Sequence, residues 1–560
     1  MSARRSVGAG ILGLLLVLLT ACAGLPTSGP VNAGLPMGEG TAHLDVDFQP
    51  ERPAPGASPR QIVEGFVDAA TSPAGGFEIA RSYLAPSLRD VWNPSAGVTI
   101  DQPGSRTFSD VEGDTVTVSL MPAADVDESG SYHVSEAQGS TNRSYVVAAQ
   151  ADGEYRVVAA PDGILLDAET FKVVFDSFSL MYFDPSWRYL VPDVRWFPAR
   201  TNSATNIVSA LVEGKPSPWL EGAVFTAFQD VSLRSKTVPV SGGVAKVELD
   251  AAVLALDDLT LSRMQAQLQA SLASAGVPNA EMFVGPNVLD VGASPTASTK
   301  VDGRALVQTA SGFGFISGDE LEPIPGLSAQ LARRSSRSIE VAASQEFAAV
   351  LSAEGEVLRV PSEGDALVLD TRVGLIAPTV DPWGFVWSVP QGAPAELFAN
   401  RGAGEAAIAV AGAWPDASHI AAMQLSHGGS RLAALTTVGG QSWIQIAAVR
   451  RDGEGVPVSL GEPQRIARVT GSGADIAWTD DTSVAAIFVE EGLPWLVTAP
   501  VGGPGTLRDA PRGSTSLAGG NSIGGLRLHT AEGVLFMQRA STWQPGAEGV
   551  LVLATQQGMG

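Results

Sequence analysis

Cys22 is the residue whose chemistry is easiest to assign, because it is the only cysteine in the 560-residue chain. It follows an apolar run of 13 residues from Val7 to Leu19, and Arg4 and Arg5 precede that run. A run of this length is too short to cross a bilayer core, which needs about 20 residues. Residues 1–21 are therefore predicted to be a signal peptide. A single cysteine also excludes a disulfide within the chain.

The string Leu19-Thr20-Ala21-Cys22 resembles the lipobox of bacterial lipoproteins. That resemblance implies cleavage between Ala21 and Cys22, with Cys22 becoming an N-palmitoyl, S-diacylglycerol cysteine. More than one acyl chain anchors a protein stably, so we expect a lipid-anchored protein on the extracytoplasmic face of the cell membrane. The alternative is an ordinary signal peptide with a chance cysteine. Residues 22–57 are rich in Pro and Gly and are predicted to be a flexible tether with a reach of roughly 30 Å.

A second candidate for chemistry is an acidic segment with the spacing of a calcium loop. Asp125, Asp127 and Ser129 occupy positions 1, 3 and 5, Gly130 occupies position 6 and Glu136 occupies position 12. The flanking residues have a strand pattern, whereas a calcium loop of this type lies between helices. A solvated hairpin loop is therefore the alternative, and otherwise no metal site is predicted.

The remaining candidates for catalysis are weak. The five histidines are scattered without zinc-ligand spacing, and there is no phosphate-binding or dinucleotide-binding motif. Gly520–Gly524 has the nucleophile-elbow pattern, but a strand pattern follows where a helix is needed. Without residues 1–21 the chain has 33 basic and 59 acidic residues, a balance of −26, which disfavours nucleic acid as a partner. We expect no cofactor and no enzymatic activity.

The elements that position these residues fall into three folded units. Residues 58–170 are predicted to be α+β, because helical patterns that begin with a capping box at Ser58 and Gln61 precede strand patterns. A cone-shaped NTF2-like fold is our hypothesis for this unit. Residues 171–297 are predicted to be a second α+β domain. Its longest helix extends from about Asp258 to Ala275, with Gly276 after its end.

Residues 298–560 are predicted to be an all-β propeller of about five or six blades. Pairs of apolar strands recur, and their second strands begin near positions 347, 385, 432, 484 and 534. These intervals of about 40–50 residues fit four-stranded blades. A pair of β-sandwiches is the alternative.

The order of these parts resembles the actinobacterial LpqB lipoprotein family. The resemblance rests on Cys22-Ala-Gly-Leu-Pro-Thr-Ser-Gly-Pro-Val, on Met181-Tyr182-Phe183, on Leu190-Val191-Pro192 and on Ile207–Pro216. It implies a GerMN domain in the middle and a propeller at the C-terminal end. It also implies an accessory role beside the MtrA/MtrB two-component system, in which the partner is the extracytoplasmic domain of an MtrB-like sensor histidine kinase.

We therefore expect a non-catalytic lipoprotein that modulates this kinase, and through it envelope homeostasis and cell division. The alternative function is a binding module for cell-wall glycan, such as peptidoglycan, or for another small ligand. In that case exposed tryptophans could stack on sugars. The candidates for such stacking are Trp383, Trp387, Trp414, Trp478 and Trp495. The alternative is that most of these side chains fill the interfaces between blades.

Overall fold

The computed structural model describes residues 50–199, 202–318, 320–402 and 405–558. The predicted signal peptide, Cys22 and the tether up to residue 49 lie outside the described residues. No helix within the described ranges is both long enough and apolar enough to cross a membrane.

The N-terminal part contains helices and two four-stranded sheets around an apolar cluster that extends from Ile62 to Phe175. Its helices are α1 Pro59–Ala69, α2 Ala74–Ser82, α3 Pro86–Arg89 and α4 Ala168–Val174. Its strands are β1 Gly97–Asp101, β2 Thr107–Phe108, β3 Thr115–Leu120, β4 Pro122–Asp127, β5 Tyr132–Val134, β6 Thr141–Ala149, β7 Tyr155–Ala159 and β8 Ile164–Asp167. The sheets have the orders β5-β4-β1-β8 and β2-β3-β6-β7. This part is therefore α+β, and its NTF2-like architecture stays a prediction.

Helix α1 begins at the predicted capping box. The Ser58 side chain accepts a hydrogen bond from the backbone of Gln61, and the Gln61 side chain accepts one from the backbone of Ser58. Both interactions satisfy backbone donors that the first helical turn leaves unpaired. The buried face of α1 packs Ile62, Val63 and Phe66 into the apolar cluster.

The middle part is also α+β, and its apolar cluster extends from Phe178 to Met282. Its helices are α5 Ser203–Val212 and α6 Asp258–Ala273. Its strands are β9 Phe175–Phe183, β10 Leu190–Pro198, β11 Val240–Ser241, β12 Val244–Glu248, β13 Asn279–Val284 and β14 Asn287–Val288. Strands β9 and β10 pair with each other, and β12 lies parallel to β13 in the sheet β11-β12-β13-β14. The assignment of this part as a GerMN domain stays a prediction.

In its described residues the C-terminal part has one short α-helix, α7 Leu327–Leu331, and one 3-10 helix, Ile523–Gly525, and otherwise consists of strands, turns and loops. Its strands are β15 Leu306–Thr309, β16 Gly312–Ser317, β17 Glu320–Glu322, β18 Ser336–Val341, β19 Phe347–Ser352, β20 Val357–Pro361, β21 Leu367–Asp370, β22 Thr379–Val380, β23 Val386–Ser388, β24 Phe398–Asn400, β25 Ile408–Ala409, β26 Ala417–Leu425, β27 Arg431–Val438, β28 Gln441–Arg451, β29 Pro457–Leu460, β30 Gln464–Val469, β31 Ser472–Trp478, β32 Ser483–Glu490, β33 Leu493–Pro500, β34 Thr506–Asp509, β35 Ser514–Ala518, β36 Arg527–Thr530, β37 Leu535–Arg539, β38 Thr542–Ala547 and β39 Val550–Gln556.

These strands form six blades arranged as a propeller. Blades 2 to 6 begin with β18, β22, β26, β31 and β35, and each consists of four strands that are consecutive in the chain, with β30 added to blade 4. Blade 1 combines β39 with β15, β16 and β17, so the last strand closes the ring. The six inner strands β39, β18, β22, β26, β31 and β35 contact one another in a closed cycle. The propeller prediction is therefore confirmed, and the sandwich alternative is wrong.

The blade pattern was predicted correctly at four of five positions. The second strands of blades 2 to 5 begin at Phe347, Val386, Arg431 and Ser483. The predicted strand near position 534 is the third strand of blade 6, and the second strand of that blade begins at Arg527. Blade 1 was missed because its inner strand comes from the far end of the chain.

Candidate functional site

A cavity of about 190 Å³ lies where the N-terminal part, the middle part and the propeller meet. Each part contributes polar or aromatic side chains to its wall. These include Tyr132 and His133, then Ser217 and Trp219, then Gln464 and Arg465. Burial raises the pKa of Tyr132 to about 12, so its phenol stays neutral at physiological pH. The junction therefore offers hydrogen-bonding groups beside an indole ring.

A buried ion pair lies in this junction, and its carboxylate residue lines the cavity. Asp193 and Arg195 lie two residues apart on β10, and both are almost fully buried, with 2% and 3% of their surface exposed. The Arg195 Nη2 atom donates to Asp193 Oδ2 at 2.8 Å. Ser217 donates to the same carboxylate through its backbone N–H at 2.8 Å and its hydroxyl at 2.7 Å. Burial lowers the pKa of Arg195, but the attraction to Asp193 outweighs burial and the net shift is upward.

The ion pair also joins the N-terminal part to the middle part. Arg195 Nη1 donates to the carbonyl of Ser129 at 2.9 Å, and Nη2 donates to the carbonyl of Lys215 at 3.0 Å. The hydroxyls of Ser131 and Ser217 lie 3.2 Å apart. Because breaking one partner of a buried pair leaves an uncompensated charge, this network favours a single arrangement of the two parts.

Gly130 allows the β4–β5 turn to lie directly on β10. Its φ is +85°, and a Cβ atom there would lie 2.8 Å from the carbonyl oxygen of Trp196. The backbone N–H of Trp196 donates to the Gly130 carbonyl at 2.8 Å. A larger residue at position 130 would therefore be strained and would also separate the turn from the strand.

The propeller is attached to the junction by side chains from both other parts. The Trp196 Nε1 atom donates to the carbonyl of Gly502 at 2.7 Å, and Arg450 Nε donates to the carbonyl of Glu221 at 2.9 Å. Arg465 forms an ion pair with Glu136. Three separate contacts thus join the propeller to the rest of the described chain.

The predicted calcium loop lies in this junction as a strand-turn-strand segment. Asp127 Oδ1 accepts hydrogen bonds from Ser129 and from the Ser131 backbone. Burial would raise the pKa of Asp127, but hydrogen bonds from His133 and Ser129 hold it well below its usual range. Both carboxylate oxygens of Asp127 therefore have protein partners.

The other two calcium candidates also have protein partners. Asp125 Oδ1 accepts from the Thr99 hydroxyl at 3.1 Å, while Glu136 pairs with Arg465. Within the described ranges there is no group of three or more His, Cys, Asp or Glu side chains suited to a metal. The geometry therefore differs from that of a calcium loop, in which these ligands surround one ion.

The tryptophans that could have stacked on sugars lie mainly between blades. Trp387, Trp414 and Trp478 are at most 1% exposed and belong to apolar clusters of the propeller. Trp383 and Trp495 are partly exposed and pack against the same clusters. Burial excludes Trp387, Trp414 and Trp478 from a sugar-stacking surface and confirms that they fill blade contacts, whereas for Trp383 and Trp495 sugar stacking stays a prediction.

Asp193 and Arg195 were not recognised as site residues from the sequence, although β10 carried a signal for them. Asp193 and Arg195 are charged residues in a strand that otherwise reads as apolar, and residues two apart point to the same face. Opposite charges on one face of a buried strand indicate an ion pair. Their partners Ser129 and Ser217 come from distant segments and had no comparable signal.

Comparison with known proteins gives matches at both ends of the chain. Residues 52–172 match the family described as "Lipoprotein LpqB, N-terminal domain", and residues 304–551 match "Lipoprotein LpqB beta-propeller domain". The curated relatives include "Lipoprotein LpqB" of Bifidobacterium longum, 26% identical over 92% of both chains. A relative of the same name from Cutibacterium acnes is 31% identical, over 44% of this chain and 41% of the relative. The matched region is thus less than half of that relative's length.

Solved structures give a weaker likeness. TolB from Acinetobacter baumannii aligns with 57% of this chain and 97% of its own, at 12% identity and a TM-score of 0.33. A score this low supports no conclusion about either fold or function.

Proposed function

Because this chain belongs to the LpqB lipoprotein family, we propose that it modulates an MtrB-like sensor histidine kinase by protein–protein binding without catalysis. Lipoprotein relatives imply that it is membrane-anchored. In this proposal Cys22 holds it on the extracytoplasmic face, and its influence on the kinase affects envelope homeostasis and cell division.

The observation that carries the proposal is the junction network around Asp193 and Arg195. It holds three parts in one arrangement, so their surfaces are presented together to a neighbour at the membrane. A partner shifts a kinase between conformations only by the difference in its affinity for them. A surface with a fixed arrangement is suited to such discrimination, because little conformational freedom is lost on binding.

Crosslinking in native membranes tests this proposal. A deletion strain would be complemented with the wild-type chain, with Arg195→Ala, or with Arg60→Ala as a matched control on the exposed surface of α1. We expect the wild type and Arg60→Ala to recover the kinase, and Arg195→Ala to recover less of it while remaining membrane-bound. The proposal would be refuted if the wild type captured no sensor kinase and if deletion left the phosphorylation of the response regulator unchanged.

Binding of a wall fragment or another small extracellular ligand is the second candidate function. The junction cavity favours it, since Trp219 lies beside polar groups there. Pelleting with peptidoglycan tests this candidate with His133→Ala, which changes the cavity wall, and with His419→Ala on β26 as the control. Retention that is equal for both variants and the wild type would exclude the cavity as the binding site.

A further inference from the structure

The inner strands of the propeller enclose a channel with a cavity of about 300 Å³. Its wall includes residues of β18, β26, β31, β35 and β39, and of the segment directly before β22. This volume is at the lower end of the range of small-molecule pockets. The channel lies outside the three-part junction, and the proposed kinase contact does not use it.

Two carboxylates line this channel, one from blade 2 and one from blade 5. They differ in how many hydrogen bonds they accept from the protein. Glu340 on β18 accepts four hydrogen bonds, from Thr379, the Val380 backbone, Thr555 and Gln557. This carboxylate is therefore saturated by protein donors. Its role is structural, since it connects β18 to β22 and to the C-terminal segment.

From the residues that the structure describes, Asp475 on β31 accepts only two hydrogen bonds. The backbone N–H groups of Ile476 and Leu517 each donate to one of its oxygens at 2.9 Å. An ionised carboxylate has about four acceptor positions, so about two remain. Asp475 is partly exposed where it lines the cavity, although protein atoms surround its carboxylate densely enough to desolvate it. The two acceptor positions are therefore available only to a molecule in the channel.

Gln424 on β26 supplies an unused donor in the same channel. It is 5% exposed and lines the cavity. Its Oε1 atom accepts from the Trp478 backbone at 2.8 Å, which assigns the amide orientation. The Nε2 group then donates to no atom in the part of the chain that the structure describes. Because Gln424 lines the cavity, this amide group is available to donate to an acceptor on a ligand in the channel.

We propose that the channel binds a small organic ligand with a protonated amine that pairs with Asp475 and a nearby oxygen that accepts from Gln424. The other charged or titratable groups that line the channel are Glu340, Arg337 and His529. A neutral ligand would leave the Asp475 carboxylate without a counter-charge. A bare metal ion fits less well, because the described residues contain no cluster of three or more ligating side chains. Amino sugars have the required pair of groups.

The protonation of Asp475 gives this site a pH dependence. Burial raises the pKa of Asp475 to about 7, and the nearby Glu340 adds to the shift. The carboxylate is therefore ionised at pH 8 and mostly neutral at pH 6. Amine binding should weaken as the pH falls through 7. The pH profile of the wild type is therefore compared with that of a variant without the carboxylate.

Calorimetry with the full mature chain tests the proposal, using glucosamine as the probe and glucose as the matched neutral compound. At pH 7.5, where a large share of both the amine and the Asp475 carboxylate is charged, we expect glucosamine to bind about tenfold more tightly than glucose, because a charge-assisted hydrogen bond is lost with the amine. The Asp475→Asn variant should lose this preference and its weakening between pH 7.5 and pH 6. The Asp509→Asn variant, at an exposed position of the same blade, should keep both.

Two results would overturn the proposal. One is equal affinity of the wild type for glucosamine and glucose, including no binding of either at millimolar concentration. The other is an unchanged amine preference in Asp475→Asn. Because the readout is channel binding by the purified chain, it is independent of whether the sensor kinase is captured.

Discussion

Replacing Asp475 by Asn is expected to stabilise the propeller above neutral pH. In the folded protein burial raises the pKa of Asp475 from 3.8 to about 7. A carboxyl with a raised pKa binds its proton more tightly when folded, so its contribution to stability is present at low pH. That contribution is lost as the pH rises from about 4 to about 7. Asparagine carries no charge, so the variant does not lose this stability as the pH rises.

The size of the effect follows from the pKa shift. A shift of about three units at about 1.4 kcal/mol each corresponds to roughly 4 kcal/mol of destabilisation above pH 7. The asparagine oxygen can still accept from Ile476 or Leu517, but one of these two hydrogen bonds is lost, at a cost of about 1 kcal/mol. The expected net gain at pH 8 is thus about 2–3 kcal/mol. At pH 4.5 the two contributions nearly cancel.

Denaturant unfolding at pH 4.5 and pH 8 measures this difference. The buried tryptophans of the propeller, such as Trp387 and Trp478, report its transition through their fluorescence. A multidomain chain need not unfold in one step, so the comparison uses the propeller transition alone. The Asp509→Asn variant is the control and should match the wild type at both pH values. A gain of equal size at pH 4.5 and pH 8, or a loss at pH 8, would refute the argument that the buried charge is the cause.

Three further variants examine the anchor and the junction. Arg195→Ala leaves Asp193 buried without its counter-ion and should lower the free energy of unfolding by about 3–5 kcal/mol; a loss below 1 kcal/mol in thermal unfolding would contradict this. Glu136→Gln removes only a partly exposed ion pair with Arg465 and should change the free energy of unfolding by less than about 1 kcal/mol in the same assay. Cys22→Ala should appear in the soluble fraction after carbonate washing of membranes, and normal membrane retention would exclude the lipid anchor.

Local patterns in the sequence were sufficient for most helices and many strands. The capping box at Ser58 and Gln61 defined the start of α1, because both partners are three residues apart. The apolar stripe of α6 and the left-handed Gly276 after it defined that helix to within two residues. The blade repeat was visible because strands and turns of blades 2 to 5 are consecutive in the chain. In each case the stabilising contacts are between near neighbours in sequence.

Contacts between distant segments could not be predicted in this way. Strand β39 pairs with β15, more than 200 residues earlier, and no local pattern indicates that blade 1 is closed by the C-terminal strand. A proline usually interrupts a strand, yet Pro192 lies within the continuous strand β10, opposite Met181 of β9. Strand β9 supplies β10 with a pairing partner on one side only, and an edge position tolerates a proline without a backbone donor.

Strand β10 contacts all three parts of the described chain. Val191 near its start belongs to the apolar cluster of the middle part, whereas Trp196 near its end packs on the cluster of the N-terminal part, 4.7 Å from Phe171 between ring centroids. The same Trp196 donates to Gly502 of the propeller. Moving any one part away would therefore expose an aromatic ring, or would leave a buried polar group of another part without its hydrogen-bond partner. A partner that contacts one part of this protein consequently acts on all three.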